Sequence, residues 1–154
     1  MKKIMSLVLI CLFTFALFSC EVDESKKTYS WEFEKDYTQV TEIKVVIPTD
    51  IENFDINTCK VIKEIDLSYA YDLMDLVDYM EMRRQEDITN EPYQLCLFFM
   101  FDNGEYDVIS KVAPSHYKYD ENGIIQRYST DLVVDSGYFF GIISSALSFN
   151  QSEN

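Results

Sequence analysis

The sequence predicts an α+β domain: a mostly antiparallel sheet of about six to eight strands packed against two helices, preceded by a short apolar leader. Three observations predict the fold class. Apolar residues alternate with period two in several short segments, the mark of half-buried strands. Two other segments switch to the i, i+3, i+4, i+7 spacing of an amphipathic helix. The pairs Asn103-Gly104 and Asn122-Gly123 stand between strand-like runs, where hairpin turns belong.

The chain of 154 residues opens with Lys2 and Lys3, and residues 4 to 18 are apolar apart from Ser6 and Thr14. A membrane-crossing helix needs roughly 20 apolar residues, so this run is short. Its charged start, apolar middle and small residue before the break are those of a secretory signal peptide. The end of the run, "LFSC", resembles the lipobox of bacterial lipoproteins: an aliphatic residue, a variable one, a small one, then cysteine. The resemblance implies that Cys20 receives a diacylglycerol on its sulfur and becomes the N-terminus after cleavage. The alternatives are an ordinary secreted protein and an uncleaved anchor. The expected segments are a signal peptide at 1–19, a lipidated cysteine and charged tether at 20–28, one α+β domain at 29–148 and a frayed tail at 149–154. The expected place is the outer face of the bacterial cytoplasmic membrane, or an outer membrane in a Gram-negative cell, with lipid on Cys20 as the membrane contact.

Within the domain, "YSWEFE" sets Tyr29, Trp31 and Phe33 against polar neighbours, which predicts a strand. "EIKVVIP" is a second strand, stopped by Pro48. "TDIENFDIN" reads as a polar loop and "CKVIKEID" as a third strand. Ser68 is placed to cap a helix ending near Tyr79, with Leu73, Leu76, Val77 and Met80 on one face. "YMEMRR" is a candidate strand after it. Pro92 opens the strongest segment, in which the unbroken apolar run Leu95 to Phe101 predicts a central strand covered on both faces. Two helices cover one face, so an N-terminal aromatic strand, a long loop or a partner must cover the other. Asn103-Gly104 predicts a two-residue type I′ turn leading to a partner strand over Glu105 to Ser110. "HYKYDENGIIQRYST" predicts a second hairpin around Asn122-Gly123. Asp135 or Ser136 caps a last helix whose apolar stripe is Phe139, Ile142, Ile143 and Leu147.

Losing Lys2 and Lys3 with the leader takes the formal charge from −14 to −16. Such a surface repels phosphates and anionic head groups, so nucleic acid is not expected as a partner; it tolerates cations and basic proteins, and the acids, spread along the chain, serve solubility. Cys59 and Cys96 remain in an exported domain as a candidate disulfide, with two buried thiols as the alternative. No CxxC pair, P-loop, Rossmann glycine pattern or HExxH occurs in the sequence. His116 is the only histidine, without a nucleophile motif around it, and is expected to be exposed and structural. Asp72, Asp75 and Asp78 read as a solvated helix face. Asp50, Glu52 and Asp55 crowd one loop without EF-hand spacing. No metal and no cofactor is expected. Tyr117, Tyr119 and Tyr128 are a candidate aromatic binding face, set against ordinary cross-strand packing.

"YSWEFEKDYTQVTEIKVVI", then "VIKEID" and a short helix, then "LFFMFDNGEYDVIS" and "DSGYFFGIISSAL" follow one another in an order that resembles a group of small bacterial lipoproteins of unknown function, known from Gram-positive species. The resemblance covers nearly all of the mature chain. It implies an anchored α+β domain and supplies no activity and no site residues. The expected role is therefore a non-enzymatic binding or interaction domain at the cell envelope, with a protein partner. An envelope-polymer hydrolase using a carboxylate pair and an immunity-type protein against a secreted toxin are the alternatives.

Overall fold

A computed structural model describes residues 27–84 and 95–149. The expected signal peptide, Cys20, most of the tether, Pro92 and residues 150–154 of the tail lie outside the described residues. The chain runs β1 (Thr28–Tyr29), β2 (Val40–Ile47), β3 (Lys60–Ile65), α1 (Ala70–Asp78), β4 (Met82–Arg84), β5 (Cys96–Phe101), β6 (Tyr106–Ile109), β7 (Ser115–Tyr119), β8 (Ile125–Ser129), β9 (Leu132–Val134) and α2 (Ser136–Ser148). Six strands form one sheet in the order β3-β2-β5-β6-β7-β8, and three short ones form another, β1-β4-β9. All pairings are antiparallel. The fold is α+β, with two helices and a mostly antiparallel sheet.

The apolar run of β5 explains the layering. Side chains alternate across a strand, so Leu97, Phe99 and Phe101 enter one core and Cys96 and Phe98 another. The first core lies under the helices, which contribute Leu73, Met74 and Val77 from α1 and Phe139, Ile142, Ile143 and Ala146 from α2. The second core, Val46, Cys96, Phe98, Val108 and Tyr117, is closed by the loop between β2 and β3. Phe54 of that loop stacks on Phe98 with centroids 6.0 Å apart. Arg127 on β8 fastens the loop, donating to the Glu52 carbonyl at 3.1 Å and to Ser115 Oγ at 3.0 Å. A long loop, then, covers the second face.

Several local expectations need correction. Ser30 to Glu34 form no strand, although the alternation survives in burial: Trp31 and Phe33 pack into the helix-side core, and the Phe33 backbone N–H donates to the Asp78 carboxylate of α1. Thr28, expected in the tether, pairs with Arg83, and Phe149, expected to fray, stacks on Tyr69 at 4.3 Å. Ser68 caps nothing: Asp66 accepts its backbone N–H at 2.8 Å, and a 3-10 turn over Leu67–Tyr69 stands before α1. Leu76 is exposed; the buried stripe of α1 is Ala70, Leu73, Met74 and Val77.

Both hairpins have three-residue loops, not type I′ pairs. Phe101 N–H donates to the Glu105 carbonyl and Gly104 N–H to the Phe101 carbonyl; Asp120, Ile124 and Gly123 repeat the pattern. Only the glycines take positive φ there, 83° at Gly104 and 75° at Gly123. This is a type I turn closed by a left-handed glycine, the other common hairpin geometry.

Candidate functional site

The two helices build an open, largely apolar concavity. Asp135 starts α2 by accepting the N–H groups of Gly137 at 2.9 Å and Tyr138 at 3.4 Å. Lys63 Nζ finishes it, donating to the carbonyls of Leu147, at 2.6 Å, and Phe149, where a cation complements the helix dipole. Burying Phe139, Ile142, Ile143 and Ala146 fixes the rotation of α2 and turns Tyr138 and Gly141 toward α1. Leu76 of α1 and Tyr79, which caps its end, face the same space. The resulting groove, of about 450 Å³, is lined by Leu76, Tyr79, Tyr138, Gly141, Ile142 and Ser145, with Asp135 and Gly137 at one end.

Gly141 is the informative residue of the groove. A Cβ added there would meet nothing within 4 Å. A glycine inside a helix costs about 0.5–1 kcal/mol against alanine. Internal packing therefore gives no reason for glycine, and its effect is to keep the groove floor low.

The remaining candidates fall elsewhere. His116 is half-buried, not exposed: its Nδ1 lies 2.8 Å from Asp107 Oδ1, and its ring stacks on Trp31 at 4.1 Å and 22°. Burial pushes the Asp107 carboxyl above its usual range, while the hydrogen bond to His116 pulls the other way. Beside this pair Lys118 holds Glu34, and Lys35 Nζ lies 3.3 Å from Glu105. The cavity among these groups is about 10 Å³, room for roughly one water and far too small for a sugar ring.

Cys59 and Cys96 are thiols in the second core, not a disulfide. The physical reason is register. Lys60, next to Cys59, pairs with Ile47, and Cys96 pairs with Val46, so β2 lies between them. Strands two places apart are about 9.6 Å from each other, beyond the roughly 7 Å that a bridge allows between Cα atoms. The Cys59 thiol donates to the Asp55 carbonyl at 3.2 Å. Burial, with neighbouring Cys59 adding, pushes the Cys96 thiol up to about 12. Burial and Asp55 raise Cys59 too, which suits neither thiol to nucleophilic work.

The tyrosines do not share a face. Tyr117 and Tyr119 lie on one side of β7, but Tyr128 pairs with His116 and points to the other, under Lys118 Nζ at 5.6 Å from its ring. A two-residue loop would have put Tyr128 opposite Tyr117; the third loop residue shifts the register by one and flips the side chain. Tyr117 is buried and stacks on Tyr106 at 4.5 Å, the cross-strand packing set against binding above.

Asp50 and Asp55 accept backbone N–H groups two residues on, from Glu52 at 2.8 Å and Asn57 at 2.9 Å, and so shape their own loop. Among the described residues no three His, Cys, Asp or Glu side chains converge as a metal site, and no helix is long and apolar enough to cross a membrane. Sequence reasoning missed the groove. Its available signals were Gly141 inside an apolar helical stripe and Leu76 at the edge of the stripe on α1. Compared with protein-family models, with curated proteins and with solved structures, the chain has no match.

Proposed function

We propose that this chain is an exported, lipid-anchored protein whose domain is a non-enzymatic binding module. Its binding surface is the groove between α1 and α2, and its ligand is a segment of another protein. The observation that carries the reading is the open apolar groove kept low by Gly141 on an otherwise acidic domain. Partly exposed aromatic side chains at Tyr79 and Tyr138 supply the large, rigid contact area typical of binding hot spots. The carboxylates Glu34, Glu105 and Asp107 instead face Lys118, Lys35 and His116 around a space of about 10 Å³, which favours binding over polymer hydrolysis. The anchor is the pair of acyl chains expected on Cys20, since two chains hold stably where one is marginal.

One experiment tests both halves in the cell. The full chain carries a photo-crosslinking amino acid at position 138, and its N-terminus is read by mass spectrometry. The expected result is a diacylglyceryl-modified Cys20 and one protein adduct of defined mass, lost when Gly141→Trp fills the groove. An unmodified Cys20, or a start elsewhere, overturns the anchor. Adducts that persist unchanged in Gly141→Trp overturn the groove.

A further inference from the structure

We infer that the occupant of the groove is a cationic amphipathic helix, with an apolar anchor and Lys or Arg one turn away; this rests on the groove being the binding surface. The argument starts from α1. Asp72, Asp75, Leu76 and Tyr79 are all exposed, and they follow the i, i+3, i+4, i+7 spacing that places side chains on one helical stripe. Leu76 and Tyr79 line the groove, so the two aspartates continue its wall one turn toward the start of α1. The groove has an apolar middle, then, and an acidic extension along one wall. Asp135 stands at the N-terminal end of the α2 wall.

A ligand matching this surface needs two things in register. An apolar side chain must lie between Tyr79 and Tyr138 over the floor at Gly141, where the absent Cβ allows close approach. Positive charge must sit about one helical turn away to meet Asp72 and Asp75. An amphipathic helix supplies both, because residues three or four apart share a face, and helix-in-groove binding reads such anchors. The charge of the whole chain, −14, steers a basic partner inward and an acidic one away. Anionic lipid is repelled by the same charge.

The test uses the full chain in nanodiscs of zwitterionic lipid and three designed peptides: a Leu/Lys amphipathic helix, its Leu/Glu counterpart, and a Lys-rich scramble with no apolar face. Binding is followed by fluorescence anisotropy at low and high salt. The Leu/Lys helix is expected to bind best. Gly141→Trp, and separately Tyr138→Ala, should weaken it about tenfold or more. Asp72→Asn with Asp75→Asn should weaken it about threefold to tenfold and flatten the salt dependence. All four positions are exposed, and circular dichroism checks that each variant keeps its fold. Equal binding of the Leu/Glu helix, with the same loss in Gly141→Trp, overturns the cationic partner and leaves the groove standing. Binding of every peptide unchanged by Gly141→Trp and Tyr138→Ala overturns the groove itself. Concentration-dependent self-association abolished by Gly141→Trp makes a second copy of the chain the occupant and overturns the cationic helix.

Discussion

Asp107 is 4% exposed and faces His116 from the middle of the sheet. Its second oxygen, Oδ2, has no hydrogen-bond partner among the described residues. Burial raises its pKa against the opposing pull of His116, and the sign of the consequence follows. A carboxyl with a raised native pKa keeps its proton longer when folded. The stability this brings is complete below the unfolded value, about 3.9 for aspartate, and is lost as pH climbs through the raised native value. Asp107→Asn cannot titrate. The variant should therefore gain on the native protein as pH rises from about 4 toward 7, measured as the difference between their urea midpoints. Groups without contact to Asp107, such as Asp36, whose carboxyl the Thr38 N–H and hydroxyl hold below its usual range, titrate in both proteins and cancel in the difference. Parallel profiles would show that the Asp107 carboxyl is unperturbed. His116 shows why such pairs are hard to read in a sequence. Nine positions separate it from Asp107, and Trp31, which stacks on it, arrives from an unpaired segment far away in the chain.

At the scale of elements, the legible features were those with local causes. The run Leu95 to Phe101 announced a two-faced strand, and Asp135 announced the start of α2, because each signal lies within a few residues of the structure it makes. The three-residue strands β4 and β9 are set by pairing across some fifty positions, and β9 left no pattern long enough to notice. Asn-Gly named the turns but not their length, and that one residue decided which way Tyr128 points. The glycines give a graded test. Gly104→Ala and Gly123→Ala each place a side chain at positive φ, a cost of about 1 kcal/mol. Gly104→Ala should lose more, because its Cβ would lie 2.9 Å from the Tyr119 hydroxyl, whereas at Gly123 nothing lies within 4 Å. Gly141→Ala should gain about 0.5–1 kcal/mol by helix propensity. Urea unfolding of the three variants ranks them, and a loss at Gly141 would mean that this glycine is needed for packing.

For the molecule as a whole, composition announced the layers and the acidic surface, but not the concavity between the helices. A groove belongs to neither helix alone; it depends on how far α1 and α2 stand apart and how each is rotated by the core beneath. The second sheet adds a different property. The short loop from Lys111 to Pro114 ties the sheets together, with Ala113 N–H donating to the Leu132 carbonyl at 2.9 Å and Val134 N–H to that of Lys111 at 2.8 Å. β1 hangs on the edge of this second sheet by two residues, and the chain then passes through Trp31 on His116, Phe33 on Phe99, Glu34 on Lys118 and Lys35 on Glu105 before entering β2. A pull between the N-terminus and the end of α1 would load these contacts in series, together with the bond from the Phe33 N–H to Asp78, before it reaches β2. The segment is therefore expected to yield ahead of the sheet, as a mechanical fuse. With handles at the N-terminus and at position 79, optical tweezers should record a first extension of roughly 30 Å, the span of about nine residues pulled straight. Trp31→Ala should lower its force, and rupture in one step would mean that the strap and the sheet fail together.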